Sequence, residues 1–236
     1  MMTEGRPVMV IARRKFIAAT AAMTLLTGCK PHAVHAVASL VREANDNFEE
    51  LLFSPERLAP ELPISLQTPD KDFPCYFHSA SMPVAPTNWT LKVGGLIQHP
   101  LILRLDHLLA MPATEMRVRH YCVDGWSAVA SWRGVRVSEI ARLAGLDPRV
   151  KYVEYRSFDN GYWSGWDLAS AMHPQTILAY EMNGRPLEAN HGAPLRLYSA
   201  IKLGYKSVKY LSEINFLPNK VGGYWEEHGF GWFAGV

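Results

Sequence analysis

From Trp89 onward, short apolar–polar alternations are cut repeatedly by turn dipeptides, and this pattern constrains the fold more than any other feature of the chain. "WTLKVGGLI" alternates up to Gly94-Gly95, a turn signal, and "VKYVEYRSF" alternates until Asp159-Asn160-Gly161. "ILAYEM" and "RPLEA" flank Asn183-Gly184, whose readiness for positive φ marks a tight hairpin. "APLRLYSA" and "SVKYLSEINFL" read as two further strands. Helical periods are brief. "LILRLDHLLAM" passes from a strand edge into a short helix, and "VSEIARLAGL" predicts a helix that starts at Ser138, presents Ile140 and Leu143, and stops at Gly145. Strands mixed with a few short helices predict an α+β domain with mixed or antiparallel sheets. No glycine-rich phosphate loop follows a strand, and "GYWSGWDL" lacks the spacing, which excludes nicotinamide or flavin binding of the dinucleotide kind.

Upstream the pattern changes. Residues 33–53 place Val37, Leu40, Val41, Phe48, Leu51 and Leu52 near one side of a helix, with acids opposite. Prolines at 55, 60, 63, 69 and 74 then forbid regular structure and predict an extended strap. The boundaries expected are residues 29–67 for helix and strap, and 68–236 for a single domain. A chain of 236 residues, 48 % hydrophobic and 19 % charged, can bury one sizeable core and is not disordered throughout.

Residues 1–28 read as an export signal. Arg13-Arg14-Lys15 precede the apolar run "FIAATAAMTLLTG", about 13 residues and too short to span a bilayer. "RRKFI" resembles the twin-arginine signal that carries folded proteins to the periplasm, with either Met1 or Met9 as the start. "LTGC" resembles a lipobox, which would place a lipid anchor on Cys29. Most of the slight excess of base over acid lies in this piece, so the remainder is close to neutral. That argues against a nucleic-acid surface, which needs a net positive face.

Three cysteines remain to be placed: Cys29, Cys75 and Cys122. Cys122 sits in "RHYCVDGWSAVASWRGVRV" without a partner cysteine at metal-finger spacing. Four readings are open for it. They are an inert buried thiol, a disulfide with Cys75 in an oxidising compartment, a nucleophile, and a thiolate metal ligand. For the nucleophile, His120 is two residues away and is expected to point to the other side of a strand.

The wider segment "RHYCVDGWSAVASWRGVRVSEI" resembles the molybdopterin-binding segment of the sulfite oxidase superfamily. Two other blocks resemble the same family in order and spacing. They are "TPDKDFPCYFHSASMPVAPTNWTLKVGGLIQHPLILRLDHLLAMP" upstream and "HGAPLRLYSAIKLGYKSVKYL" downstream. The resemblance covers about residues 68–233 and is strongest to the branch of periplasmic methionine sulfoxide reductase catalytic subunits. It implies a mixed-sheet, single-domain molybdopterin fold without the C-terminal immunoglobulin-like domain of animal and plant sulfite oxidases. It also implies Mo-molybdopterin, with the metal held by pterin sulfurs and by Cys122.

By position, His191, Arg196, Ser207, Val208 and Lys209 match the family's cofactor contacts, and Lys206 matches a further place. Arginine suits bidentate grip on a phosphate and lysine supplies a point charge. Ser157, Tyr76 and His78 match positions near the pterin, although Ser157 serves equally as the start of a turn. Trp126, Trp132, Trp163 and Trp166 are expected to be core and pocket wall. After Cys122 come Val123, Asp124, Gly125 and Trp126, where the sulfite-oxidising members carry polar and cationic groups. An acid and an indole suit a neutral substrate better than a dianion. The expected reaction is therefore oxygen-atom removal from an S-oxide such as methionine sulfoxide, with electrons from a haem-bearing partner. Sulfite oxidation and a non-catalytic binding protein are the alternatives.

Overall fold

The computed structural model describes residues 31–236, with side chains from Val37 onward; the export signal and Cys29 lie outside the described residues. The chain divides into two units, Met1–Ala44 and Asn45–Val236. In the first, the described residues belong to helix α1 (Pro31–Leu52), which runs on into the second.

The second unit is α+β, as the alternations predict. One five-stranded sheet runs in the order β2 (Leu101–Leu103), β1 (Leu91–Gly95), β10 (Leu211–Leu217), β5 (Tyr152–Ser157), β6 (Trp163–Asp167). It is mixed because β1 pairs with β10 in parallel while its other pairs are antiparallel. The other sheet is antiparallel and runs β3 (Ala113–Tyr121), β4 (Ser127–Arg136), β7 (Thr176–Met182), β8 (Arg185–Pro186), with β9 (Arg196–Ser199) also on β7. Short helices punctuate the strands: α2 (Leu105–Leu109), α3 (Val137–Ala144), α4 (Leu168–Ala171) and α5 (Tyr224–Glu227).

Two apolar cores lie on opposite faces of the second sheet. Alternate residues of β7 divide between them: Leu178 and Tyr180 join a core with the first sheet, and Ile177 and Ala179 join a core with Phe73, Trp132 and Tyr198. A strand buried on both faces has no polar side, so β4 shows no two-residue rhythm in its sequence. This is why β4 and β6 are not legible from the pattern, whereas β1, β5 and the Asn183-Gly184 hairpin are; β3 does alternate, burying Met116, Val118 and His120 between half-exposed arginines, although no strand was expected there. Helix α3 begins at Val137, one residue before the expected Ser138, and ends at Gly145. The stretch "SVKYLSEINFL" becomes a strand only from Leu211; Gly204–Lys206 forms a 3-10 turn just before it.

The proline-rich strap holds no regular structure beyond 3-10 turns at Ile64–Leu66 and Asp70–Asp72. It lies along the β3–β4 hairpin. The Leu62 amide donates to the Arg117 carbonyl (2.8 Å), and the Thr68 amide to the Val129 carbonyl (2.9 Å). The Gln175 side chain bonds both the amide and the carbonyl of Ala59. These bonds satisfy backbone groups that prolines leave without neighbours.

The register of β4 on β7 slips between Arg133 and Gly134. There the two backbones come so close that a Cβ on Gly134 would stand 2.0 Å from the Leu178 carbonyl oxygen. Gly134→Ala is therefore expected to lower stability by about 1–3 kcal/mol through overpacking, read as a lower urea midpoint with an unchanged slope.

Candidate active site

Cys122 stands at the tip of the β3–β4 hairpin. Its amide donates to the Trp126 carbonyl (3.0 Å) and Gly125 N–H donates back to the Cys122 carbonyl (3.1 Å), which fixes the turn. The thiol is free, and its Sγ donates to the Asp124 carboxylate at 3.6 Å. Burial pushes the thiol up from its ordinary pKa, so without a metal it carries its proton. Cys75 is also free, so the disulfide reading does not hold. Its Sγ lies 3.4 Å from His191 Nδ1, and burial raises its pKa as well.

The hairpin tip opens on a cavity of about 370 Å³. At one side stands Arg196 of β9, fully buried. Its guanidinium donates to the His191 carbonyl (3.0 Å) and lies over the Trp132 ring at 4.9 Å. Burial lowers its pKa to about 10. Lys209 joins it, donating to the carbonyls of Tyr76 (2.7 Å) and Asn190 (2.8 Å), with its pKa lowered by burial and by Arg196 to about 7. Neither cation has an acidic partner among the ion pairs of the described residues. His191, beside them, is depressed to about 4 by burial and then by the two cations, so its imidazole is neutral.

Of the residues singled out in the sequence, Cys122, Tyr76, His78, Ser157, His191, Arg196, Ser207 and Lys209 all line this cavity. His78 stands at its aromatic side, 4.2 Å between ring centroids from Tyr224. The Ser157 hydroxyl serves a turn, accepting from the Asp159 amide (2.9 Å) and donating to the Tyr210 carbonyl (3.3 Å).

Two expected contacts go elsewhere. The Val208 side chain is buried in the core between the sheets. Lys206 is wholly buried and turned away from the cavity. Its Nζ donates to the carbonyls of Gly165 (2.8 Å) and Trp232 (2.8 Å) and pairs with Glu226. The 3-10 turn at Gly204–Lys206 sends Lys206 and Lys209 in different directions, which the spacing of charges does not reveal. His120 is a correction of the opposite kind. Residues two apart on a strand share a face, so it lines the same cavity as Cys122. It is packed so tightly that a Cβ on Gly204 would stand 2.5 Å from its Nε2. Burial, then Arg196 and Lys209, hold its pKa near 3, so it too is neutral.

The sequence reading missed a wall built of Tyr162, Tyr205, Trp225 and Phe230. The aromatic density of "YWEEHGFGWF" is the only signal that could have found part of it. Trp126 lines the cavity, whereas Trp132 and Trp166 are in the cores. Four buried polar atoms of cavity-lining residues have no hydrogen-bond partner: His120 Nδ1, Trp126 Nε1, Ser207 Oγ and Tyr210 Oη.

Residues 78–225 match the model of the oxidoreductase molybdopterin-binding domain. A candidate protein-methionine-sulfoxide reductase subunit of Azospira oryzae is 35 % identical, over 98 % of this chain and 90 % of that protein. The protein-methionine-sulfoxide reductase catalytic subunit MsrP of Xanthomonas axonopodis is 37 % identical over 63 % of this chain and 52 % of that protein. An uncharacterized oxidoreductase of Bacillus subtilis is 35 % identical, over 61 % of this chain and 73 % of its own length. The crystal structure of the sulfane dehydrogenase SoxCD from Paracoccus pantotrophus matches with a TM-score of 0.62, covering 72 % of this chain and 47 % of that one. At 22 % identity that likeness is one of fold. The chain thus spans nearly all of the Azospira protein and only about half of the Xanthomonas one.

Lys206→Met leaves the Glu226 carboxylate buried without its cation. It is expected to cost about 3–5 kcal/mol, measured by chemical denaturation, while folded molecules keep the cavity's cationic side. The depressed Lys209 sets a pH signature. Its pKa is about 7 in the fold, against about 10.4 in an unfolded chain. Between those values the unfolded chain holds more protons, so stability rises with pH. The cofactor-free protein is expected to melt higher at about pH 9 than at about pH 7, and Lys209→Met to flatten that rise in a fluorescence melt.

Proposed function

The chain belongs to the family of molybdopterin-binding oxidoreductases, and from that premise we propose that it removes an oxygen atom from a neutral S-oxide such as methionine sulfoxide, after export to the periplasm and with electrons from a haem-bearing partner. The observation that carries the reading is the meeting, in one cavity, of a free thiol with a buried arginine and a half-buried lysine that have no ion-pair partner among the described residues.

The residues present fit the family's cofactor. Arg196 and Lys209 offer positive charge to an anionic phosphate, and unpartnered Ser207 Oγ and Tyr210 Oη offer hydrogen bonds that the protein itself does not use. Cys122 would hold the metal as a thiolate. His191, Arg196, Ser207 and Lys209 would hold the pterin's phosphate, with Tyr76, His78 and Ser157 along its edge. When bound, the molybdenum centre supplies two-electron oxygen-atom exchange, chemistry that no side chain here can perform.

The chain's own groups do the rest. Ligation requires Cys122 to lose its proton, and the Asp124 carboxylate, 3.6 Å from Sγ, is placed to take it. His120 and His191, held neutral by burial, add no charge beside the thiol. Tyr76, Phe77, Tyr162, Trp225 and Phe230 give the cavity a largely aromatic wall. Such a wall favours a polarisable sulfur group over a strongly hydrated dianion, and Asp124 disfavours a second negative charge. Two electrons and two protons must enter for each oxygen removed. The Xanthomonas relative is called a catalytic subunit, which accords with electrons arriving from another chain.

Cys122→Ser is expected to keep pterin, measured by its fluorescence after release, and to lose essentially all sulfoxide reduction. Full turnover in that variant would contradict the ligand role. Purified enzyme should contain about one molybdenum per chain and reduce methionine sulfoxide with a dye donor. Rapid sulfite oxidation without sulfoxide reduction would reverse the assignment of substrate.

A further inference from the structure

Helix α1 is docked by its polar side. The Asp46 carboxylate accepts from the amides of Trp232 (2.9 Å) and Phe233 (2.9 Å), and Glu49 accepts from Gly235 N–H (3.0 Å). At about 100° per residue, Asp46 points roughly opposite to Phe48, Leu51 and Leu52, and Glu49 lies on the flank between the docked side and Leu52. The three apolar side chains are 58 %, 80 % and 61 % exposed. In the first unit the helix carries Val37, Leu40 and Val41, exposed by 42 %, 65 % and 63 % and three or four residues apart in the same way. A helix on the surface of a water-soluble protein turns such a stripe inward. Scattered exposed leucines need no explanation, but a stripe repeated over the length of a helix marks a surface that something covers.

We propose that this stripe lies on a lipid bilayer. The chain upstream argues for that occupant. Pro31 opens the helix two residues after Cys29, the cysteine of "LTGC", so a lipid attached there would deliver the helix directly to the membrane surface. The helix has 22 residues, and no helix among the described residues is long and apolar enough to cross a membrane, so α1 would lie flat. Its single arginine, Arg42, is outnumbered by Glu43, Asp46, Glu49 and Glu50. Attachment therefore comes from apolar insertion rather than from attraction to anionic headgroups. The proposal does not use the cavity or its metal, and it goes beyond the assignment of the reaction.

The test separates the helix from the lipid. Exported protein carrying Cys29→Ser, and so without an acyl chain, is mixed with vesicles of pure phosphatidylcholine and floated on a density gradient. The protein is expected to float with the vesicles. Phe48→Glu combined with Leu51→Glu should lower the bound fraction roughly tenfold or more, with melting temperature and molybdenum content unchanged. The proposal is overturned if the parent stays at the bottom, or if the double variant floats equally well. It is overturned equally if the parent binds only membranes that contain a partner protein. A dimer in light scattering that the double variant dissolves would assign the stripe to a second copy instead.

Discussion

A guanidinium without a counter-ion is the most demanding group in this fold. Removing Arg196 from water costs several kcal/mol unless something negative meets it, and the protein offers the carbonyls of His191 and Leu197 and the faces of Trp132 and Tyr198. Lys209 compounds the demand from beside it. Its bonds to the carbonyls of Tyr76 and Asn190 also tie the segment after the strap to the downstream block, so the same charge that awaits an anion closes one side of the cavity. The turn at Ala189–His191 brings His191 back beside β9. The cationic side is thus assembled from pieces that meet only in three dimensions.

The other buried lysines build the wall instead. Lys202 donates to the Phe233 carbonyl (2.7 Å) and Lys206 to that of Trp232 (2.8 Å). From the opposite direction Asp46 and Glu49 take the amides of the same stretch. Cations on carbonyls and carboxylates on amides leave few of its polar backbone groups unmet, in a segment that is otherwise ordered by α5 and by an antiparallel bridge between Lys202 and Gly235. Held in this way, the C-terminal region presents Trp225 and Phe230 to the cavity. One block of sequence, "IKLGYKSVK", therefore carries two jobs: Lys209 faces the cavity, while Lys202 and Lys206 carry the framework.

Much of the fold was legible where a strand has one wet face. In β1, Leu91 and Val93 are buried while Lys92 is exposed, and the alternation in the sequence follows. The Asn183-Gly184 turn was legible because both residues must take positive φ, as they do. Strand β4 was not, since it is covered on both faces and its register is set by a close approach at Gly134 that no local pattern announces, while β3 carries the alternation of a half-wet strand in "MRVRH". Helix α1 was legible as a helix, but its stripe is turned outward, because which face docks is set by Asp46, Glu49 and the amides they meet.

For the site, the motif around Cys122 and the "HGAPLR" block marked most residues that line the cavity. His120 was set aside on the wrong parity, and the aromatic wall near the C-terminus carried no motif. The sequence by itself determined the chemistry available: a thiol at a turn, an arginine and lysines at fixed spacing, and strands to carry them. Only the tertiary structure decided which of those charges face a common space and which sit in the framework. Spacing along a chain specifies direction only within one regular element, and here a 3-10 turn and two sheets intervene.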